Sequence, residues 1–301
     1  MKRPFLEQKM TGRIKDYILL MRPHQYVKNV FIILPLFFGR RIFESGPLLN
    51  AALAFIAFSL FASSVYIFND YHDIEEDRRH PEKKNRPLAS GKVPQKEALV
   101  LMAALAVSGL AMSFLLNINA FYLFVSYLVL NVLYTLKLKH IAIIDVFVVA
   151  ACFVIRLFVG SVVTGVELSM WIILVTFLLA LFLAFAKRRD DLIIYLQTKE
   201  RTRAVLDGYN LETLNAALVT LSSVIIVAYI MYTVSPEIIA KAGTDKLYIT
   251  VFFVILGVMR YMQITFLEQA CGSPTKVLLR DRFLQLSISG WLLTFGMLLY
   301  F

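Results

Sequence analysis

The sequence predicts an all-α, polytopic membrane protein, a bundle of nine transmembrane helices. Three observations predict it. Of the 301 residues, 59% are hydrophobic, where a soluble domain is nearer half apolar. The apolar residues fall in blocks of roughly 17 to 25, the length that crosses a bilayer as a helix. The Lys and Arg residues sit in alternate gaps between those blocks, the pattern of a chain that crosses and returns. Lipid offers no partner to a bare peptide group, so each block must satisfy its own backbone, which a helix does.

The spans are expected near 17–38, 48–68, 97–116, 119–135, 141–164, 169–186, 213–232, 247–262 and 283–301, all within one integral-membrane domain over 1–301. The first carries Arg22, Pro23, His24 and Lys28 in its N-terminal half. For that half, an interfacial helix that enters the membrane only after Lys28 is the alternative. The second runs directly into Asn69-Asp70-Tyr71-His72-Asp73-Ile74-Glu75-Glu76-Asp77. The loop that follows holds Pro81, Pro87 and Gly91, which make it a shaped turn. The third and fourth spans are separated only by the short gap at 117–119, and the fifth and sixth only by 165–168. The fifth contains Arg156, about 16 Å along a helix from Asp145. The sixth ends in Lys187-Arg188-Arg189-Asp190-Asp191.

The net charge of +10 reports topology, not nucleic-acid binding. Of 31 Lys and Arg residues, seven precede Val30, seven lie in 69–96, two in 136–140, six in 187–212 and four in 260–282. The intervening loops hold only Arg40, Arg41, Lys241 and Lys246. This asymmetry makes the basic side cytosolic. The N-terminus is then cytosolic, the C-terminus outside, and the membrane a cell (inner) membrane. No cleaved signal is expected, because no short apolar core with a small-residue cleavage site follows the first basic residues. Cys152 in a span and Cys271 in a cytosolic loop are not expected to pair. A homo-oligomer is left open.

The acidic residues close to spans, Asp70, Asp73, Asp77, Asp145, Asp190 and Asp191 among them, gather on the cytosolic side, so the chemistry is expected at that mouth. Asn69, Asp73 and Asp77 are spaced by four and share one face if the helix continues. Three oxygen donors in a row suit a hard cation such as Mg²⁺ with phosphate as shared ligand. A solvated helix end paired with Arg78, Arg79 and Lys83 is the alternative. Arg86 stands before Pro87, which favours an extended backbone there and presents the guanidinium away from the loop to grip phosphate. For Arg78, Lys84 and Arg86, phosphate contacts and plain topology signal weigh equally. Lys187, Asp191 and Tyr195 are also four apart and share a face. Arg156 is costly in lipid and should face the bundle interior or a wet cavity. Lys28, Tyr134 and Lys139 lie at the same level, and on the residues alone interface anchoring is the preferred reading.

The motif Asn69-Asp70-x-x-Asp73-x-x-x-Asp77, followed by Asn85-Arg86-Pro87-Leu88-Ala89-Ser90-Gly91, resembles the UbiA-type intramembrane prenyltransferase superfamily. Its members usually carry a second Asp-x-x-x-Asp motif after the sixth span; here Tyr195 stands where the later aspartate would be. The departure is closer to the decaprenyl-phosphate phosphoribosyltransferase branch. Arg22-Pro23-His24-Gln25-Tyr26-Val27-Lys28-Asn29, Asp77-Arg78-Arg79-His80-Pro81, Tyr134 with Lys139-His140, Phe153-Val154-Ile155-Arg156 and Asp281-Arg282-x-Leu284-Gln285-Leu286 carry that resemblance over nearly the whole chain. It implies Mg²⁺ as cofactor, phosphoribosyl pyrophosphate as soluble donor and a polyprenyl phosphate lipid as acceptor. It implies Asn69, Asp73 and Asp77 for metal and pyrophosphate. Lys28, Arg78, Lys84, Arg86, Tyr134, Lys139, Arg156, Lys187 and Arg188 are then the candidate phosphate ligands. Asp73, Asp77, Arg156 and Asp191 are the candidate catalytic residues, with Asp191 on a ribose hydroxyl or a metal-bound water. Two competing functions are a prenyltransferase acting on an aromatic acceptor, which would need two intact metal motifs, and a transporter, which would place polar groups near the midplane.

Overall fold

The computed structural model describes residues 13–79, 83–198, 204–268 and 274–301. His80 and Pro81, part of the resemblance, and Cys271 fall outside them. No strand is present among the described residues. Among the described residues, eight helical stretches are long and apolar enough to cross a membrane. We call them α1 (Ser45–His72), α2 (Gln95–Leu116), α3 (Ile118–Leu136), α4 (Ile144–Thr164), α5 (Met170–Thr198), α6 (Leu211–Val234), α7 (Val251–Gln263) and α8 (Arg282–Tyr300). A 3-10 turn at Lys246–Thr250 and a π-helical turn at Ile264–Glu268 extend α7 at its two ends.

The expected first span is not one helix. A helical stretch ends at Met21, Arg22 adopts the left-handed conformation (φ 55°), and Pro23–Ile32 continues as a 3-10 helix before a short α-helix, Leu34–Phe38. Pro23 is the physical reason: its ring disfavours helical geometry at the residue before it. The sixth span also differs. Its apolar run was expected to stop near 186; α5 runs on to Thr198, so Lys187–Asp191 is helical, as the shared face expected of Lys187, Asp191 and Tyr195 requires.

The chain forms two compact units. The first comprises residues to Leu138 and Ile155–Val166. In it α1 packs on α2 and on the 3-10 helix Pro23–Ile32. Ala57 and Gly109 let the two helices approach closely: a Cβ on Gly109 would stand 2.8 Å from Phe61 Cβ and 3.0 Å from the Ala57 carbonyl. Small residues at such seams are how helices pack where lipid supplies no hydrophobic drive. A second patch of core, Leu20, Ile67, Ile74, Leu88 and Val93, ties the loop after residue 83 to the end of α1.

The second unit comprises Lys139–Val154 and Glu167–Phe301. Its core is built from the start of α4, the middle of α5, and α6 and α7, with Phe182, Leu192, Leu206, Leu214 and Tyr261 among the buried side chains.

Candidate functional site

In the first unit, α1 ends where Asp73 leaves helical geometry (φ −96°, ψ 11°), and a short helix, Ile74–Arg79, begins at once. The backbone barely notices. Asp73 N–H donates to the Asn69 carbonyl at 3.0 Å, and Asp77 N–H to the Asp73 carbonyl at 2.8 Å. The four-residue spacing of Asn69, Asp73 and Asp77 therefore survives the bend. Asn69 is fixed further by Thr135, whose hydroxyl donates to Asn69 Oδ1 at 3.2 Å. Asp73 is half-buried and Asp77 buried.

Arg86 reaches away from its loop, as Pro87 suggested, but onto carboxylates where a phosphate was expected. One of its Nη atoms donates to Asp70 at 2.9 Å and to Asp77 at 2.6 Å, and both carboxylates are only 2% exposed. Desolvation explains the difference. Two buried carboxylates need a cation, and the loop supplies it. Pro87, Leu88 and Ala89 are buried, the Val93 N–H donates to the Pro87 carbonyl at 3.1 Å, and Gly91 turns the chain at φ +73°. Arg22 also donates to Asp70 and lies over the Tyr66 ring at 5.4 Å, and Lys83 stands 4.0 Å from Asp77. Burial holds the Asp77 carboxyl above its usual range, against the pull of the Arg86 guanidinium. Asp70 is the member that spacing did not single out, although it lies within the motif.

The other first-unit candidates divide. Arg78 donates to Glu75 at 2.6 Å and to the Ala89 carbonyl at 3.2 Å, so it braces the loop. Lys84 is exposed; Lys28 and Tyr134 are half-buried. Arg156 is buried, as its depth in α4 demanded. Its Nε donates to Asn29 at 2.9 Å, an Nη donates to the Tyr127 hydroxyl at 3.1 Å, and the guanidinium lies 4.9 and 5.0 Å from the Phe58 and Tyr127 ring centres. Asn29 in turn donates to Ser59 at 2.9 Å.

In the second unit, Arg188 is not free to serve phosphate alone. It donates through Nε to Asp145, which is fully buried, and through Nη1 to Asp191 Oδ2 at 3.1 Å. Tyr209 donates to the other Asp145 oxygen at 2.6 Å and accepts the Ile143 N–H at 2.7 Å. Burial, and then the bond to Asp145, push the Tyr209 phenol well above its usual range, which keeps it a donor. Lys187 lies 3.9 Å from Asp191. Arg189 instead braces the helix ends: it donates to Asn215 at 2.7 Å and to the Thr265 carbonyl in the π-helical turn, and stacks over Phe266. Lys139 is half-buried, and Tyr195 packs against the core. Asp145 and Tyr209 were absent from the expected site; the only signal for Asp145 was its place among the carboxylates near span ends.

Among the described residues, no group of three or more His, Cys, Asp and Glu side chains is drawn together as a ready-made metal cage. Mg²⁺ rarely asks for one. It typically takes one or two carboxylates and completes its shell with water and substrate phosphate. The all-oxygen set Asn69, Asp73 and Asp77 fits that requirement.

The model of the UbiA prenyltransferase family matches residues 32–287. The chain is 30% identical over 298 residues to the decaprenyl-phosphate phosphoribosyltransferase of Mycolicibacterium smegmatis, covering 96% of this chain and 93% of that protein. It is 30% identical over 290 residues to the enzyme of the same name from Corynebacterium glutamicum, covering 94% and 86%. The structure of a UbiA homologue from Archaeoglobus fulgidus bound to DMAPP and Mg²⁺ superimposes with a TM-score of 0.69 at 18% identity, over 95% of this chain and 99% of that one. The chain belongs to the UbiA prenyltransferase family.

Proposed function

We propose that the protein transfers a 5-phosphoribosyl group from phosphoribosyl pyrophosphate to a polyprenyl phosphate, releasing pyrophosphate, with Mg²⁺ as cofactor. The observation that carries this reading is the near-full-length likeness to two decaprenyl-phosphate phosphoribosyltransferases. The charged groups in the structure support it, since the donor carries both a pyrophosphate and a 5-phosphate.

Asn69, Asp73 and Asp77 would hold Mg²⁺, which when bound neutralises charge on the pyrophosphate leaving group. Arg86 and Lys84 add positive charge for the same group. Lys28 and Lys139 are the proposed ligands of the remaining phosphates. Arg156, deep in its span, is proposed for the acceptor phosphate, because a cation at that depth is expensive unless it serves an anion or a wet cavity. An oxygen of the lipid phosphate attacks C1 of the ribose, the bond from C1 to the pyrophosphate oxygen breaks, and its electron pair leaves with pyrophosphate. The nucleophile is already an anion, so no side chain need act as a base.

We read both units as one transferase, since the family match spans them. The topology follows from charge: seven of the Lys and Arg residues precede Val30. With eight crossings alone, these residues would lie opposite the other basic loops. A ninth crossing by the broken helix of 17–38 returns them to the cytosolic side. The reactive mouth is then cytosolic and the C-terminus outside; association into a homo-oligomer remains compatible with this.

Purified protein in lipid nanodiscs, given Mg²⁺, labelled phosphoribosyl pyrophosphate and polyprenyl phosphate, should form a labelled phosphoribosyl lipid. Formation of a prenylated aromatic acceptor from prenyl diphosphate, with no phosphoribosyl lipid, would overturn the reading.

A further inference from the structure

Arg86 stands on a carboxylate that the proposed metal needs. A single Nη of Arg86 bridges Asp70 Oδ1 at 2.9 Å and Asp77 Oδ2 at 2.6 Å, and Arg22 donates to the same Asp70 oxygen. Lys83 lies 4.0 Å from the other Asp77 oxygen. Both buried carboxylates are therefore matched by cations, and neither offers a bare divalent ion surplus negative charge. Whichever Asp77 oxygen such an ion took, it would stand close to the guanidinium and be repelled. A metal that arrives with pyrophosphate meets a different balance. Phosphate oxygens suit the planar fork of Arg86, and its Nε and second Nη have no partner among the described residues. At 26% exposed, the guanidinium is open to an incoming anion.

We propose that Arg86 is an internal counter-ion of the metal site, which disfavours bare Mg²⁺ and favours Mg²⁺ carried in with the donor's pyrophosphate. Asp70 is then a positioning residue that keeps Arg86 at the site when the metal takes Asp77. The proposal rests on the metal role of Asn69, Asp73 and Asp77 given above. The loop is built for such an exchange, because its backbone is fixed and the arginine side chain alone must swing. The Arg86 N–H donates to the Lys83 carbonyl at 2.9 Å, and the Arg86 carbonyl accepts the Ser90 N–H at 2.9 Å and the Ser90 hydroxyl at 2.8 Å. Arg22, in its left-handed turn, holds Asp70 from the far side. Metal and donor are then taken up together.

The test uses Mn²⁺ in place of Mg²⁺ and purified protein in nanodiscs of zwitterionic lipid, with the spin resonance of the free ion reporting binding. Without pyrophosphate, Arg86→Gln should bind Mn²⁺ about tenfold more tightly than the wild type, since no bond to a charged group must be broken. With Mn²⁺ saturating, radiolabelled pyrophosphate should bind the same variant about tenfold more weakly. Damage to the fold would weaken both. Asp70→Asn should weaken Mn²⁺ binding, because Asp77 becomes the one carboxylate left to Arg86, and this effect should largely vanish in the Arg86→Gln background. Where Asp70→Asn does not fold, Asp70→Glu, which keeps the charge and shifts the oxygens, takes its place in the same comparison. Arg86→Gln protein that binds Mn²⁺ no more tightly than the wild type overturns the proposal, as does one that binds pyrophosphate equally well. An effect at Asp70 of the same size in both backgrounds overturns the role of Asp70. An Asp77→Asn control that binds Mn²⁺ as the wild type does overturns the metal reading itself, and this assignment with it.

Discussion

The two charged centres solve the same problem differently. In the first unit the buried carboxylates Asp70 and Asp77 are paired by Arg86, which a loop brings back from several residues beyond the helix. In the second, Asp145 and Asp191 are paired by Arg188, which sits on α5 itself. The first centre is also redundant: Asp70 keeps Arg22, and Asp77 keeps Lys83, if Arg86 is removed. Asp145 has only Arg188 and the Tyr209 hydroxyl among the described residues. A cation on a loop with substitutes behind it can be exchanged for an incoming metal and pyrophosphate. A cation on a helix with none behind it is architecture. The comparison implies that the first centre trades partners during turnover and the second holds still.

Removing each arginine tests this, and the second unit should suffer more. Arg188→Gln strands a fully buried carboxylate, which typically costs about 3–5 kcal/mol of stability. Thermal unfolding in detergent should show a large fall. A variant that unfolds at the wild-type temperature would show that the second centre is not architecture. Next in size, Asp73→Asn should lower turnover at least about a hundredfold, with the unfolding temperature kept. Retained turnover would remove Asp73 from the metal's ligands. Arg86→Gln should be milder in stability, because Arg22 and Lys83 remain, and should appear as a roughly tenfold rise in the KM for the donor. Equal stability losses in Arg86→Gln and Arg188→Gln would erase the distinction between the two centres.

Much of this was legible in the sequence, and what was not has a common cause. Apolar length predicted α1–α4, α6 and α8 to within a few residues. The four-residue spacing of Asn69, Asp73 and Asp77 persists in the structure, because a helix is a local rule and the bend at Asp73 keeps its hydrogen bonds. Hydropathy ended the sixth span at Ala186, since charged residues leave lipid. The backbone had no reason to stop there, as Lys187–Asp191 contains no Pro or Gly and its charges pair at i,i+3 and i,i+4. Partner choice was the illegible part. Tyr209 lies 64 residues from Asp145, and Asp70 takes its second arginine from 48 residues upstream. Composition shows that such residues exist but not that they meet. Arg22 shows the same limit in the backbone: Pro23 signalled a break, but not that Arg22 would turn left-handed and reach Asp70.

A third carboxylate–arginine pair serves as the control and should give the smallest effect. Asp281 caps α8, accepting the Leu284 N–H at 2.7 Å, and Arg260 donates to it at 2.6 Å. The bond from Arg260, with the cap, holds the Asp281 carboxyl below its usual range. A depressed carboxyl contributes stability above the unfolded-state value and loses it as pH falls through the folded-state value. Arg260→Gln should therefore cost at most about 1 kcal/mol near neutrality, since the pair is partly exposed, and less at about pH 3, as the carboxylate begins to take up protons. Thermal unfolding at the two pH values measures it. Donor KM should not move, because the pair lies in neither centre. If Arg260→Gln raised the donor KM as Arg86→Gln does, loosening any carboxylate–arginine pair would suffice, and the special place of Arg86 would be lost.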